Sequence, residues 1–279
     1  MNCAWNELLT ILPHEFREQI DKLGKEKLEE LHLRNGQPVE LIIAGRSVLL
    51  DKLATKEDIQ FVINTASRYS PWASASVTKG YITAPGGHRI GICGECVVQG
   101  GIISGIKYGT SVCIRIARAL PGIGRNVPMK GTLLILGPPG VGKTTLLRDI
   151  IRLRSINGQA VAVVDERGEL FPPGNHFQPG CRTDILTGCS KAQGVEMALR
   201  TMSPRCIAVD EITAQEDCDA LMGAAWCGVE LLATAHAESV EDLMCRGVYR
   251  PLRECGLFTQ AIVLRRDKSW YLERMKGCT

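Results

Sequence analysis

Residues 131–147 read Gly-Thr-Leu-Leu-Ile-Leu-Gly-Pro-Pro-Gly-Val-Gly-Lys-Thr-Thr-Leu-Leu. Residues 132–136 are a short apolar run of strand type, 137–142 form a loop dominated by glycine and proline, and Lys143 opens a helical pattern. This is G-x-x-x-x-G-K-[ST] in the strand, loop and helix context that gives the pattern meaning. Glycines let successive backbone N–H groups turn inward on a phosphate chain, where a Cβ would block the turn or the approach. The following helix N-terminus adds partial positive charge. Gly137, Pro138, Pro139, Gly140, Val141, Gly142, Lys143, Thr144 and Thr145 are therefore the candidate nucleotide-binding residues, with Lys143 on the β and γ phosphates and the Thr144 hydroxyl on Mg²⁺. The expected ligands are a nucleoside triphosphate and Mg²⁺.

Working outward, the chain changes rhythm on either side of this stretch. Residues 1–30 read as helical, with apolar residues at mixed spacings of three and four and Pro13 separating two short helices. Strands are expected at 31–34, 39–43 and 47–50, punctuated by Asn35-Gly36 and Gly45, and a helix at 56–67. Residues 77–118 read as a β meander with strands at 80–83, 88–93, 95–99 and 111–116. This gives an α+β N-terminal domain over 1–120, a Pro-Gly-rich linker over 121–128 and a second domain over 129–279. In the second domain strand, loop and helix alternate, which implies a largely parallel sheet with covering helices. Strands are expected at 159–164, 206–209 and 230–233, helices at 195–202, 217–226 and from 240, and a hairpin around Asp267-Lys268.

Open parallel sheets bind ligands beyond the carboxyl ends of their strands. Four strand ends here deliver polar groups to that place: the phosphate loop, Asp165-Glu166-Arg167, Asp210-Glu211 and Thr234/His236. Asp210 is the candidate Mg²⁺ ligand with Thr144, and Glu211 the candidate base that orients and deprotonates the attacking water. Taken alone, Asp-Glu is also how a solvated loop starts. His236 suits a γ-phosphate contact or a structural histidine, and Asp165 and Glu166 suit a water or metal contact. Phosphoryl transfer also calls for a cation on the γ-phosphate, often an arginine from a neighbour. Arg89, Arg115 and Arg118 are strand-borne candidates, each with surface solvation as the simpler reading, and Arg148, Arg152 and Arg154 read as an exposed helix face.

The bulk properties narrow the class. The 279 residues are 45% hydrophobic and 23% charged with a net charge of +3, enough for a sizeable core but not a general polyanion binder. Aromatics at 5% also count against a strand-tracking nucleic-acid protein, the competing class. No apolar run is long enough for a membrane span and residues 1–18 lack the layout of a signal peptide, so the expected location is cytoplasmic. The twelve cysteines, several in apolar runs as with Cys206 and Cys227, read as reduced and buried. The Cys93/Cys96 pair reads as structural thiols on a Gly-rich turn, with half a zinc site or a redox pair as alternatives.

Residues 137–144, 165–167, 206–212 and 231–236 resemble, in order and spacing, the nucleotide motif, aspartate box, second carboxylate motif and histidine box of the secretion and pilus ATPases. Residues 79–89 and 114–118 are similar to the sporulation-stage members of endospore formers, so the resemblance covers nearly the whole chain. It implies an α/β protein with a RecA-like P-loop NTPase core behind the smaller α+β domain. It further implies a homo-hexameric ATPase in the mother-cell cytoplasm, without a span of its own, docked on a membrane-embedded export or feeding channel. The chain departs from the secretion ATPases in carrying Asp210-Glu211 where they often have Gly-Glu. It also lacks a second threonine in Thr234-Ala235-His236-Ala237, and any four-cysteine zinc module.

Overall fold

A computed structural model describes residues 3–67, 80–172 and 177–275, and these fall into two compact units that divide between Arg118 and Ala119. In the first, Pro13 separates α1 (Trp5–Ile11) from α2 (His14–Leu23). Gly24, at a φ of 79°, ends α2, so the helical rhythm expected to residue 30 gives way to a strand already at Leu28. β1 (Leu28–Arg34), β2 (Pro38–Ile43) and β3 (Arg46–Leu53) precede α3 (Lys56–Ala66), whose Thr55 N-cap and Asp58 form a reciprocal capping box. β4 (Tyr81–Thr83), β5 (Arg89–Gln99) and β6 (Ile102–Arg115) complete an antiparallel sheet in the order β3-β2-β1-β6-β5-β4. The apolar alternation of these strands and one face of each helix close a core that includes Leu8, Phe16, Ile20, Leu31, Leu33, Ile59, Ile90 and Ile114.

The meander differs from expectation. Residues 77–79 lie outside the described residues, and the strands expected at 88–93 and 95–99 are one strand, paired along its length with a fourteen-residue β6. Gly94 permits this, because a Cβ there would lie 1.7 Å from the Tyr108 carbonyl oxygen; the register shifts at that point instead of breaking. Cys93 and Cys96 therefore sit on a strand, exposed, and not on a Gly-rich turn. Cys227 is likewise exposed, while Cys206 and Cys218 are the buried thiols among the described residues.

The second unit is built on β7 (Leu133–Leu136), α4 (Lys143–Ile156), β8 (Val161–Asp165), β9 (Thr183–Thr187), α5 (Lys191–Thr201), β10 (Cys206–Val209), α6 (Gln215–Trp226), β11 (Glu230–Ala235), α7 (Val240–Cys245), α8 (Arg250–Glu254), β12 (Gln260–Leu264) and β13 (Trp270–Arg274). The sheet order is β13-β12-β7-β11-β10-β8-β9, parallel except for β13. β7, β8 and β10 are buried at every position, as strands covered on both faces must be. β11 lies between β7 and β10, so the residues after it emerge between the phosphate loop and Asp210-Glu211. β9, with its half-polar sequence Thr-Asp-Ile-Leu-Thr, is an edge strand that periodicity alone did not reveal.

The arginines of α4 do not line an exposed face. Arg148 and Arg154 are buried, and Arg152 donates to the buried Asp149, whose other oxygen accepts the N–H groups of Gly122 and Gly124, each at 2.8 Å. Arg154 donates to Glu230 at 3.0 Å and to the Gly131 carbonyl at 2.8 Å, joining α4 to the starts of β7 and β11. Helical spacing shows which residues share a face but not which face turns inward. Truncating a fully buried, hydrogen-bonded side chain leaves a cavity and unpaired carbonyls, at a cost of about 3 kcal/mol. Arg154→Ala is accordingly expected to lower unfolding stability by about that amount in urea titration; an unchanged midpoint would contradict this placement of Arg154.

Candidate active site

Lys143 begins α4 directly after Gly142, which sits at a φ of 108°, and Gly140 lies at 78°; both conformations favour glycine. Gly137 is needed for a different reason, since a Cβ there would come within 3.0 Å of the Leu264 carbonyl oxygen and 2.8 Å of Val141. Val141 is buried and anchors the loop from beneath, while Pro139 and Gly140 form its exposed tip. α4 has no side-chain cap at its N-terminus, leaving its first N–H groups to an external acceptor. Thr145 follows, half-buried, in the first turn.

The Lys143 amine lies inside this loop, donating to the Gly137 carbonyl at 2.7 Å and the Pro138 carbonyl at 3.0 Å, with His236 Nδ1 at 2.8 Å. An ammonium can only donate, so Nδ1 accepts and the ring proton resides on Nε2, 3.1 Å from Glu211 Oε1. Lys143, His236 and Glu211 thus form one polar chain. Burial away from water pushes the Lys143 pKa down to about 8, against the opposing pull of the Glu211 and Asp210 carboxylates.

Asp210 joins the remaining parts. Its Oδ2 accepts from the Thr144 hydroxyl at 2.9 Å, and its Oδ1 from the Thr234 hydroxyl at 2.8 Å and the Glu211 N–H at 3.1 Å. The Thr234 oxygen accepts the same Glu211 N–H at 2.9 Å. Glu211 is held by these bonds at a φ of 39°, a left-handed conformation that costs a non-glycine residue about 1 kcal/mol or more. Such strain persists where the surroundings over-determine a residue, as at functional sites. Thr234 was visible in the sequence only as a strand-end hydroxyl; its role as the brace of Glu211 comes from β11 lying beside β10. Arg167, which the sequence places at these strand ends without a role, stands 3.8 Å from Glu211 Oε2.

Asp165 and Glu166, expected at a water or metal contact, have protein partners in this structure. The buried Asp165 carboxylate accepts the N–H groups of Glu169, Leu170 and Phe171 at 2.8, 2.9 and 3.1 Å, and so shapes the turn after β8. Burial raises its pKa while those three N–H groups oppose the rise. Glu166 pairs with Lys191 at 2.6 Å. Arg148 supports the same turn through the Glu169 and Leu170 carbonyls and stacks on Phe177; burial pushes its pKa down to about 10. Arg89 and Arg115 belong to the first unit, where Arg89 lies over the Tyr81 ring and Arg115 faces Glu30.

The assembled residues fit a magnesium nucleotide. The three hydrogen-bond partners of the buried Lys143 ammonium are uncharged, a setting that favours an incoming anion, and a Cβ on Gly140 or Gly142 would meet open space. The Thr144 hydroxyl and Asp210 carboxylate offer the hard oxygen donors that Mg²⁺ prefers.

Comparison with known proteins identifies the family and the fold. The family model described as "Sporulation stage III, protein AA" matches residues 5–275. Stage III sporulation protein AA of Bacillus subtilis is 36% identical, over 94% of this chain and 92% of its own. Among solved structures, the fold is similar to the pilus retraction motor PilT, determined with bound ADP (TM-score 0.63, 16% identity, 94% of this chain and 82% of that one). It is also similar to the ATPase DotB of Legionella pneumophila (TM-score 0.58, 19% identity, 91% and 77%). The chain thus has the mixed α/β, RecA-like fold of the secretion and pilus ATPases.

The depressed Lys143 pKa carries a sign for stability. Below about pH 8 folded and unfolded chains both hold the proton; between 8 and the ordinary 10.5 the unfolded chain holds it and the folded one releases it, so stability rises with pH there. Urea titrations without nucleotide are expected to show this rise in the wild type relative to Lys143→Met. Parallel pH profiles would contradict the burial of the charge.

Proposed function

Since the chain belongs to the family of sporulation stage III protein AA, we propose that it is an ATP-hydrolysing motor subunit driving a membrane-associated export or feeding channel during endospore formation. The observation that carries this reading is the convergence of Lys143, Thr144, Asp210, Glu211 and His236 at three neighbouring strand ends through bonds of 2.7–3.1 Å.

In this reading the N–H groups of residues 137–145 and the Lys143 ammonium bind the phosphates. Lys143 gives up the Gly137 and Pro138 carbonyls as it does so. Thr144 and Asp210 would hold Mg²⁺, which supplies neutralisation of charge on the phosphate oxygens. Glu211 takes the proton of the attacking water, and His236 Nε2–H holds that carboxylate in one orientation. Departure of Lys143 from His236 Nδ1 is also felt at Glu211, so nucleotide arrival is communicated to the base through the imidazole.

The subunit acts in a ring, with six copies as the expected number. Arg89 or Arg115 from a neighbour supplies the cation on the γ-phosphate. Residues 1–120 and 129–279, joined across 121–128, convert the cycle into relative motion. The expected setting is the mother-cell cytoplasm, at a membrane reached through partners. No helix among the described residues is long and apolar enough to cross a membrane.

Lys143→Ala is expected to abolish ATP binding in calorimetry, and retained affinity would remove the proposed site. Glu211→Gln should still bind ATP but turn over at least ~100-fold more slowly, the usual contribution of a general base; unchanged turnover would reassign the base. Specific activity should rise with protein concentration if arginines act in trans, and a flat profile would contradict a shared site. Strong stimulation by single-stranded DNA or RNA would favour the nucleic-acid-dependent class.

A further inference from the structure

The antiparallel sheet of the first unit buries Leu31 and Leu33 of β1 on its core face, which turns Glu30 and His32 to the opposite face. Register places His32 across from Cys113 and Glu30 across from Arg115, at the junction of the two central strands. Glu30, His32 and Cys113 are each partly buried. Their ligand atoms lie close together: Glu30 Oε2 to His32 Nε2 is 3.3 Å, Cys113 Sγ to His32 Nε2 3.8 Å, and Cys113 Sγ to Glu30 Oε2 3.9 Å.

These spacings have a specific meaning. Zinc bonds of about 2.0–2.1 Å to nitrogen or oxygen and about 2.3 Å to sulfur, at tetrahedral angles, put ligand atoms roughly 3.3–3.6 Å apart. The three edges observed are within a few tenths of an ångström of those lengths. We infer that Glu30, His32 and Cys113 form a binding site for a zinc-class transition-metal ion, three protein ligands with a fourth position open to water or a small ligand. The mixed sulfur, nitrogen and oxygen donors select such an ion over Mg²⁺ or Ca²⁺, which require oxygen.

Arg115 supports the site from outside it. Its Nε lies 3.3 Å from Glu30 Oε1, which leaves Oε2 directed at His32 and Cys113. On binding, the Cys113 thiol releases its proton to solvent and its sulfur replaces one water on the ion. The ion then bridges β1 and β6 and ties together the middle of the sheet. Cys93 and Cys96, despite their C-x-x-C spacing, are exposed and separated by two register shifts in β5.

The full chain, stripped with a chelator and titrated with Co²⁺ in the absence of nucleotide, tests this. The expected result is one equivalent bound, with a sulfur-to-cobalt charge-transfer band and the intensified visible bands of a tetrahedral ion, all displaced by Zn²⁺. Cys113→Ser should lose the charge-transfer band while the double variant Cys93→Ser/Cys96→Ser keeps it. His32→Gln should bind at least ~10-fold more weakly, since even groups that only orient metal ligands are worth that much. Circular dichroism checks that each variant folds. Absence of a thiolate band in the wild type, its persistence in Cys113→Ser, or its loss in the Cys93/Cys96 variant would each overturn the assignment.

Discussion

The Asp210 carboxylate is the point at which the second unit's separate elements become one site. Its two oxygens receive hydroxyls from α4 and β11 and the N–H of the residue that follows it. A half-buried carboxylate that has lost part of its water needs such donors in return. Satisfying Asp210 therefore brings Thr144 beside β10 and fixes Glu211 in its left-handed conformation. Thr234 can reach both Asp210 and Glu211 only because β11 lies between β7 and β10.

Around this tie the protein places charge at some energetic cost. Lys143 is held out of water among carbonyls, and Arg148 and Arg154 are buried along α4. Each arginine bonds to backbone carbonyls: Arg148 to the turn after β8, Arg154 to Gly131 ahead of β7. α4 is thereby joined at several depths to the loops that surround the phosphate loop.

The strand, loop and helix around Lys143 were legible in the sequence because glycine, proline and apolar periodicity act locally. The carboxylates after Val209 and the histidine after Ala235 were legible for a related reason: polar residues ending an apolar strand in a parallel sheet have one common destination. Other features depended on partners distant in sequence. Asp165 looks like Asp210 on paper, yet three backbone N–H groups from its own turn claim it. Arg148, Arg152 and Arg154 have the spacing of a helix surface, and only the carbonyls and carboxylates facing them show that this surface points inward. The length of β5 and the exposure of Cys93 and Cys96 turn on the close approach of Gly94 to Tyr108, which is invisible without the fold.

In the proposed cycle a magnesium nucleotide enters across the ends of β7, β11 and β10 and takes Lys143 from its present partners. The most direct measurement is a crystal structure of the chain with Mg²⁺ and a non-hydrolysable ATP analogue. Phosphates are expected to be enclosed by residues 137–144, with the Lys143 amine moved from the Gly137 and Pro138 carbonyls onto them and Glu211 facing the γ-phosphate. Nucleotide bound elsewhere, or enclosed there with Lys143 still on those carbonyls, would contradict it.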